Sequence, residues 1–169
     1  MNMVRSVAVA VMCVCAPMAA QAQVPHIVGT WEFNAGASRF AGPPPQTHVR
    51  EYRPAEDGVL VGIAVIVEAD GRPRFLQFAA KPDGMDYPEF DNIASAQYLI
   101  DGSLPVRTYS ETPIDEYRVR WVDKRDGALL FQGDRWVSED GQTMSFTVER
   151  TNEDGEPVED LYVFDRTGE

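Results

Sequence analysis

Four residues able to trade protons crowd one short run of this chain, Asp-Tyr-Pro-Glu-Phe-Asp: they are Asp86, Tyr87, Glu89 and Asp91. A carboxylate sunk into an apolar mouth has its charged form disfavoured, so its pKa climbs toward the range of a general acid or base at neutral pH. Asp86, Tyr87 and Glu89 are therefore the candidate catalytic set of a cofactor-free isomerase, cyclase or hydratase. The plainer reading of the same residues is solvated loop charge and helix caps. Arginines are the other chemical candidates. Arg50 alternates with His48 and Tyr52, Arg72 and Arg74 precede Leu76 and Phe78, and Arg118 and Arg120 oppose a Tyr117, Val119, Trp121 face. An arginine facing an apolar interior needs a carboxylate, from the protein or from a ligand, whereas one facing water needs none. Arg118 and Arg120 read as a wet outer face.

Other chemistries lack their residues. The two histidines, His26 and His48, stand alone at ligand spacing, so no metal or haem site is expected. None of the serines sits in a Gly-x-Ser-x-Gly setting, and phosphate loops and dinucleotide fingerprints are missing. No cofactor is expected. Both cysteines, Cys13 and Cys15, fall in a leader-like start with a positive Arg5, an apolar Val7 to Val14 and a small-x-small Ala20-Gln21-Ala22. These features predict a signal peptide over residues 1–22 and a mature domain over 23–169 that is exported, periplasmic or secreted, and free of thiols. The apolar run is short and interrupted at Pro17, so stable membrane insertion is not expected. A net charge of −12, one unit more negative once Arg5 is removed, disfavours nucleic acid as a partner and leaves an oligomer open.

The elements that must position these residues are marked by turns. Asp-Gly pairs occur at Asp57-Gly58, Asp70-Gly71, Asp83-Gly84, Asp126-Gly127, Asp140-Gly141 and Asp154-Gly155, and such pairs supply the positive φ angles of tight hairpins. Ile27 to Asn34 alternates as a first strand. The Gly36 to Pro45 stretch then breaks regular structure and predicts a stiff segment crossing one end of the fold. Between the turns run strands at Thr47 to Arg53, Val59 to Ala69, Arg72 to Lys81, Tyr117 to Val122, Ala128 to Val137, Gln142 to Thr151 and Val158 to Arg166. The fold class is therefore all-β: an antiparallel up-and-down β-barrel of eight or nine strands, the ninth depending on whether Val106 to Glu111 pairs. Val59 to Val67 is apolar on both faces and predicts cover on both. Residues 82–105, broken by Pro82, Pro88 and Pro105, predict a long loop suited to a portal, a lid or padding.

Gly29-Thr30-Trp31 at the start of the first strand, followed by a turn-rich segment and a meander, resembles the calycin superfamily of lipocalins and fatty-acid-binding proteins. The opening GTWEFN with Ser38-Arg39-Phe40 is closest to the fatty-acid-binding pattern, and Asp83 to Pro88 is similar to a stretch in small exported bacterial lipocalin-like proteins. The resemblance implies a structural barrel plug of Gly29 and Trp31, with Arg166 over the tryptophan ring and Arg150 as a second candidate. It implies a lumen for a small apolar or amphipathic molecule, with Phe78, Tyr117, Trp121, Trp136 and Phe146 as the expected lining. An enzyme using the same cavity and an envelope protein-interaction module are the alternatives.

Overall fold

The computed structural model describes residues 26–93, 106–152 and 154–168. The expected leader, and the helix-compatible patch from Ile93 onward apart from its first residue, lie outside these residues. Ten antiparallel strands close into a barrel in which each strand pairs with its neighbour in sequence and the last returns to the first. They are β1 (Gly29–Phe33), β2 (Thr47–Pro54), β3 (Leu60–Val67), β4 (Pro73–Ala80), β5 (Tyr87–Asp91), β6 (Arg107–Pro113), β7 (Arg118–Arg125), β8 (Ala128–Val137), β9 (Thr143–Thr151) and β10 (Pro157–Gly168). All six Asp-Gly glycines have positive φ. At the β7–β8 turn both Asp126 (φ 52°) and Gly127 (φ 80°) are left-handed, the condition for the two-residue turn whose twist matches antiparallel strands.

The strand count exceeds the expected eight or nine. The Val106 to Glu111 segment does pair, as β6, and the tenth strand is β5, inside the stretch expected to be loop. Pro88 and two acids, Glu89 and Asp91, hid it, since proline cannot donate to a ladder and normally argues against a strand. Here β5 is short: Leu76, Gln77 and Phe78 face Asp91, Phe90 and Glu89 on one side, and Tyr109 and Thr108 face Tyr87 and Pro88 on the other. Pairing it turns the acidic run into a barrel wall, so every second residue is forced inward.

One end of the barrel is plugged. Trp31 is fully buried, its indole N–H donates to the Ile27 carbonyl at 2.7 Å, and the Arg166 guanidinium lies 4.1 Å over its ring. Arg166 also donates to the carbonyls of Val28 (2.6 Å) and His26 (2.7 Å), tying the entry segment down. Gly29, at φ 131°, leaves room for that guanidinium, which a β-carbon would strike. Leu60, Ala80, Val137, Met144 and Phe164 fill the space around Trp31, and the burial of such side chains is the main force closing this end. The outer face of β3 is less covered than its composition predicts: Val65 is 41% exposed, between Val49 on β2 and Phe75 on β4. At the other end the segment after β1 folds over the mouth. It is held by backbone bonding between Arg39 and Leu161 and by the Ala41 N–H on Asp160 at 2.8 Å.

Candidate functional site

Between the plug and the mouth lies a cavity of about 320 Å³, the small end of the range for ligand sites. Inward parity on each strand decides what lines it. Strand β2 contributes His48, Arg50 and Tyr52; β5 contributes Glu89; β7 contributes Trp121 and Asp123; β9 contributes Phe146. Phe40, Gly42 and Pro43 of the mouth segment complete the wall, with Phe40 edge-on to Tyr162 at 4.7 Å.

The floor is aromatic and carries one closed polar network. Phe78 stacks on Tyr109 at 4.0 Å. Arg135, buried on β8, pairs with buried Glu111 at 2.6 Å and donates to the Tyr109 hydroxyl at 3.1 Å. Tyr109 in turn donates to Glu111. Burial, then the Glu111 charge, hold the Tyr109 phenol well above its ordinary pKa, so it remains a donor at neutral pH.

Above the floor, one wall presents unmatched donors. The Arg50 Nε–H donates to His48 Nε2 at 3.0 Å, which places the His48 proton on Nδ1. That Nδ1 is buried and has no partner among the described residues. Burial, helped by the charges of Arg50 and Arg74, pushes the His48 pKa well below its usual value and keeps the ring neutral. Arg50 donates a second bond to the Tyr52 hydroxyl at 3.0 Å and lies 4.4 Å over the Phe146 ring. Among the described residues it meets no carboxylate. The Trp121 indole N–H, on β7, is a second buried donor without a partner among the described residues.

The β5–β7 side of the cavity presents unmatched acceptors. Arg107 on β6 is surrounded by Asp91, Asp123 and Glu89, bonding the first two and lying 2.9 Å from Glu89 Oε2. Arg74 adds a second bond to Asp91 at 3.0 Å. With Glu68 at 3.7 Å from Arg74, four carboxylates thus share two guanidinium groups. Glu89 Oε2, in ion-pair range but without hydrogen-bond alignment, and Asp123 Oδ1 are buried with no hydrogen-bond partner. Burial and the Asp123 charge, opposed by Arg107, push the Glu89 pKa up to about 7, and burial raises Asp123 as well.

Of the residues expected to line a lumen, Phe78, Trp121 and Phe146 do so and two do not. Tyr117 sits below the cavity, before β7, stacked on His26 at 4.6 Å. Trp136 falls on the outer face, under the Arg118 guanidinium at 5.5 Å, because inward parity on β8 belongs to Gly133, Arg135 and Val137. The acidic set also divides. Asp86 is exposed and pairs with Lys124 at 2.8 Å, and Tyr87 donates to Asp83 at 2.8 Å. Only Glu89 enters the cavity. Arg107, Tyr109, Glu111, Asp123 and Arg135 escaped sequence reasoning, though Arg-x-Tyr-x-Glu on β6 and Trp-x-Asp on β7 share the period-two spacing of a single face.

Compared with known proteins, the chain matches no family model and no curated protein.

Proposed function

We propose that this protein is an exported lipocalin-like carrier that holds a small amphipathic molecule with an acidic head in the barrel lumen. The observation that carries the reading is Arg50, a lumen guanidinium bonded only to neutral groups and an aromatic face. A part-buried cation with no carboxylate in ion-pair range among the described residues is incompletely compensated, and an anionic head supplies a close counter-charge. His48 Nδ1–H beside it is a second donor to the same head, and Phe146, Trp121 and Tyr162 offer an apolar body for the rest of the ligand. The Trp31–Arg166 plug and the leader-like residues 1–22 support the lipocalin-like and exported parts of the reading.

Anilinonaphthalene sulfonate (ANS), an anionic fluorescent amphipath, tests it. The dye should bind with enhanced emission, and Arg50→Met should weaken binding about tenfold, the ~1.4 kcal/mol of one charge-assisted hydrogen bond. Equal affinity in the two proteins removes the anionic head from the proposal, and absence of binding removes the lumen reading.

A further inference from the structure

Glu89 and Arg50 line one cavity from strands three apart in the ten-strand barrel, which is about 14 Å along the curved sheet and less across it. Among the described residues the β5–β7 side carries unpartnered acceptors on Glu89 and Asp123, with the unpartnered Arg107 and Trp121 N–H groups among them, and the β2 side carries the unpartnered His48 Nδ1–H beside Arg50. A base facing a preorganised oxyanion site is the arrangement required for removing a proton from carbon next to a carbonyl.

We propose that the lumen is a proton-transfer site in which Glu89 is the general base and Arg50 with His48 Nδ1–H holds the oxygen of an enolisable carbonyl ligand. This rests on the reading of the lumen as a ligand site and adds chemistry to it. On a β,γ-unsaturated ketone the α C–H bond breaks, its proton passes to the Glu89 carboxylate, and its electron pair forms a dienolate whose oxygen lies against the donors. The same proton then returns to the γ carbon, the double bond moves into conjugation, and the Glu89 carboxylate is restored. No other reactant is consumed.

The surroundings of Glu89 suit a base working near neutrality. Arg74 from β4, Asp91 beside it on β5, Arg107 from β6, Asp123 from β7 and Arg50 from β2 are the charged groups that face it. The carboxylates oppose its ionisation and the guanidiniums permit it, so it exchanges a proton without leaving the wall.

The probe is β,γ-cyclohexenone, followed by the absorbance of its conjugated product, with ANS displacement reporting entry of the ketone. The full protein should displace dye and isomerise the ketone, with kcat/KM rising through about pH 7 as Glu89 ionises. Glu89→Gln should lose on the order of 10²-fold or more in rate while still binding ANS. Arg50→Met should lose about 10²-fold. Asp86→Asn, on the exterior, should change nothing. Dye displacement without isomerisation, or an undiminished rate in Glu89→Gln, overturns the proton-transfer proposal and leaves the carrier reading standing. Failure of the ketone to displace bound ANS also overturns it. If ANS does not bind, the lumen reading fails and the proposal with it. Should Glu89→Gln not fold, the pH profile of the unmodified protein decides, and a rate flat from about pH 5 to 9 overturns the proposal.

Discussion

Two buried arginines project into the same barrel, one from β8 and one from β6, and their surroundings are opposite. Arg135 has one carboxylate, Glu111, and bonds to phenol hydroxyls, and no atom of that network is among the fully buried polar atoms left without a partner in the described residues. Arg107 has three carboxylates around it, and its Nε–H and the acceptors Glu89 Oε2 and Asp123 Oδ1 have no hydrogen-bond partner among the described residues. A closed network fixes one arrangement of the strands that carry it. An open one keeps charge and hydrogen-bonding capacity for something that enters. The difference separates a part of the barrel that serves the fold from a part that costs the fold something, which is where function is expected to lie.

Breaking the closed network should produce the larger effect. Glu111→Gln leaves Arg135 buried without a counter-charge and should lose about 3–5 kcal/mol in urea unfolding. Asp123→Asn removes one of three carboxylates from an arginine that keeps two, so its cost should stay below about 1 kcal/mol. Equal losses from the two substitutions would abolish the contrast between the clusters.

A pH series sharpens the same contrast at Glu89. Its folded pKa of about 7 lies above the ordinary value of 4.5, so the folded protein holds this proton more tightly than the unfolded chain does. The stability it contributes is fully present below about pH 4.5 and is lost as pH rises through about 7. Relative to Glu89→Gln, the unmodified protein should therefore lose about 2–3 kcal/mol between these limits, with Asp123 sharing part of the proton. Urea midpoints of both proteins at about pH 5 and pH 8 measure the gap, and a gap independent of pH would assign Glu89 an ordinary carboxylate pKa.

What the sequence made legible followed from local rules. The Asp-Gly turns fixed the hairpins, and the alternation of Met144, Phe146 and Val148 fixed the inward face of β9. The tenth strand was hidden because β5 is held by its neighbours and has little strand propensity of its own, with Pro88 as its second residue. The clusters were hidden for a different reason. Arg107, Asp123 and Glu89 come from three strands, and only closure of the sheet places them around one point. Sequence spacing could bring Glu89 into a list of acids but could not separate it from Asp86 and Tyr87, whose partners Lys124 and Asp83 lie outside the cavity.

Parity on β8 offers the smallest and most pointed test, because two aromatic residues equal in apparent promise end on opposite sides of the wall. Phe146 is buried against Tyr162 at 4.6 Å and Phe164 at 5.5 Å, with Arg50 over its face. Trp136 touches Arg118, whose own partner is the surface carboxylate Asp134 at 3.0 Å. Trp136→Ala should therefore cost no more than about 1 kcal/mol, the scale of an exposed cation–π contact, and should leave ANS affinity unchanged within about twofold. A large loss of dye affinity would put Trp136 in the lumen, and a one-residue slip of β8 would then carry Arg135 to the outside. That slip would dismantle the closed network, so the destabilisation of Glu111→Gln and the silence of Trp136→Ala are two readings of the same register.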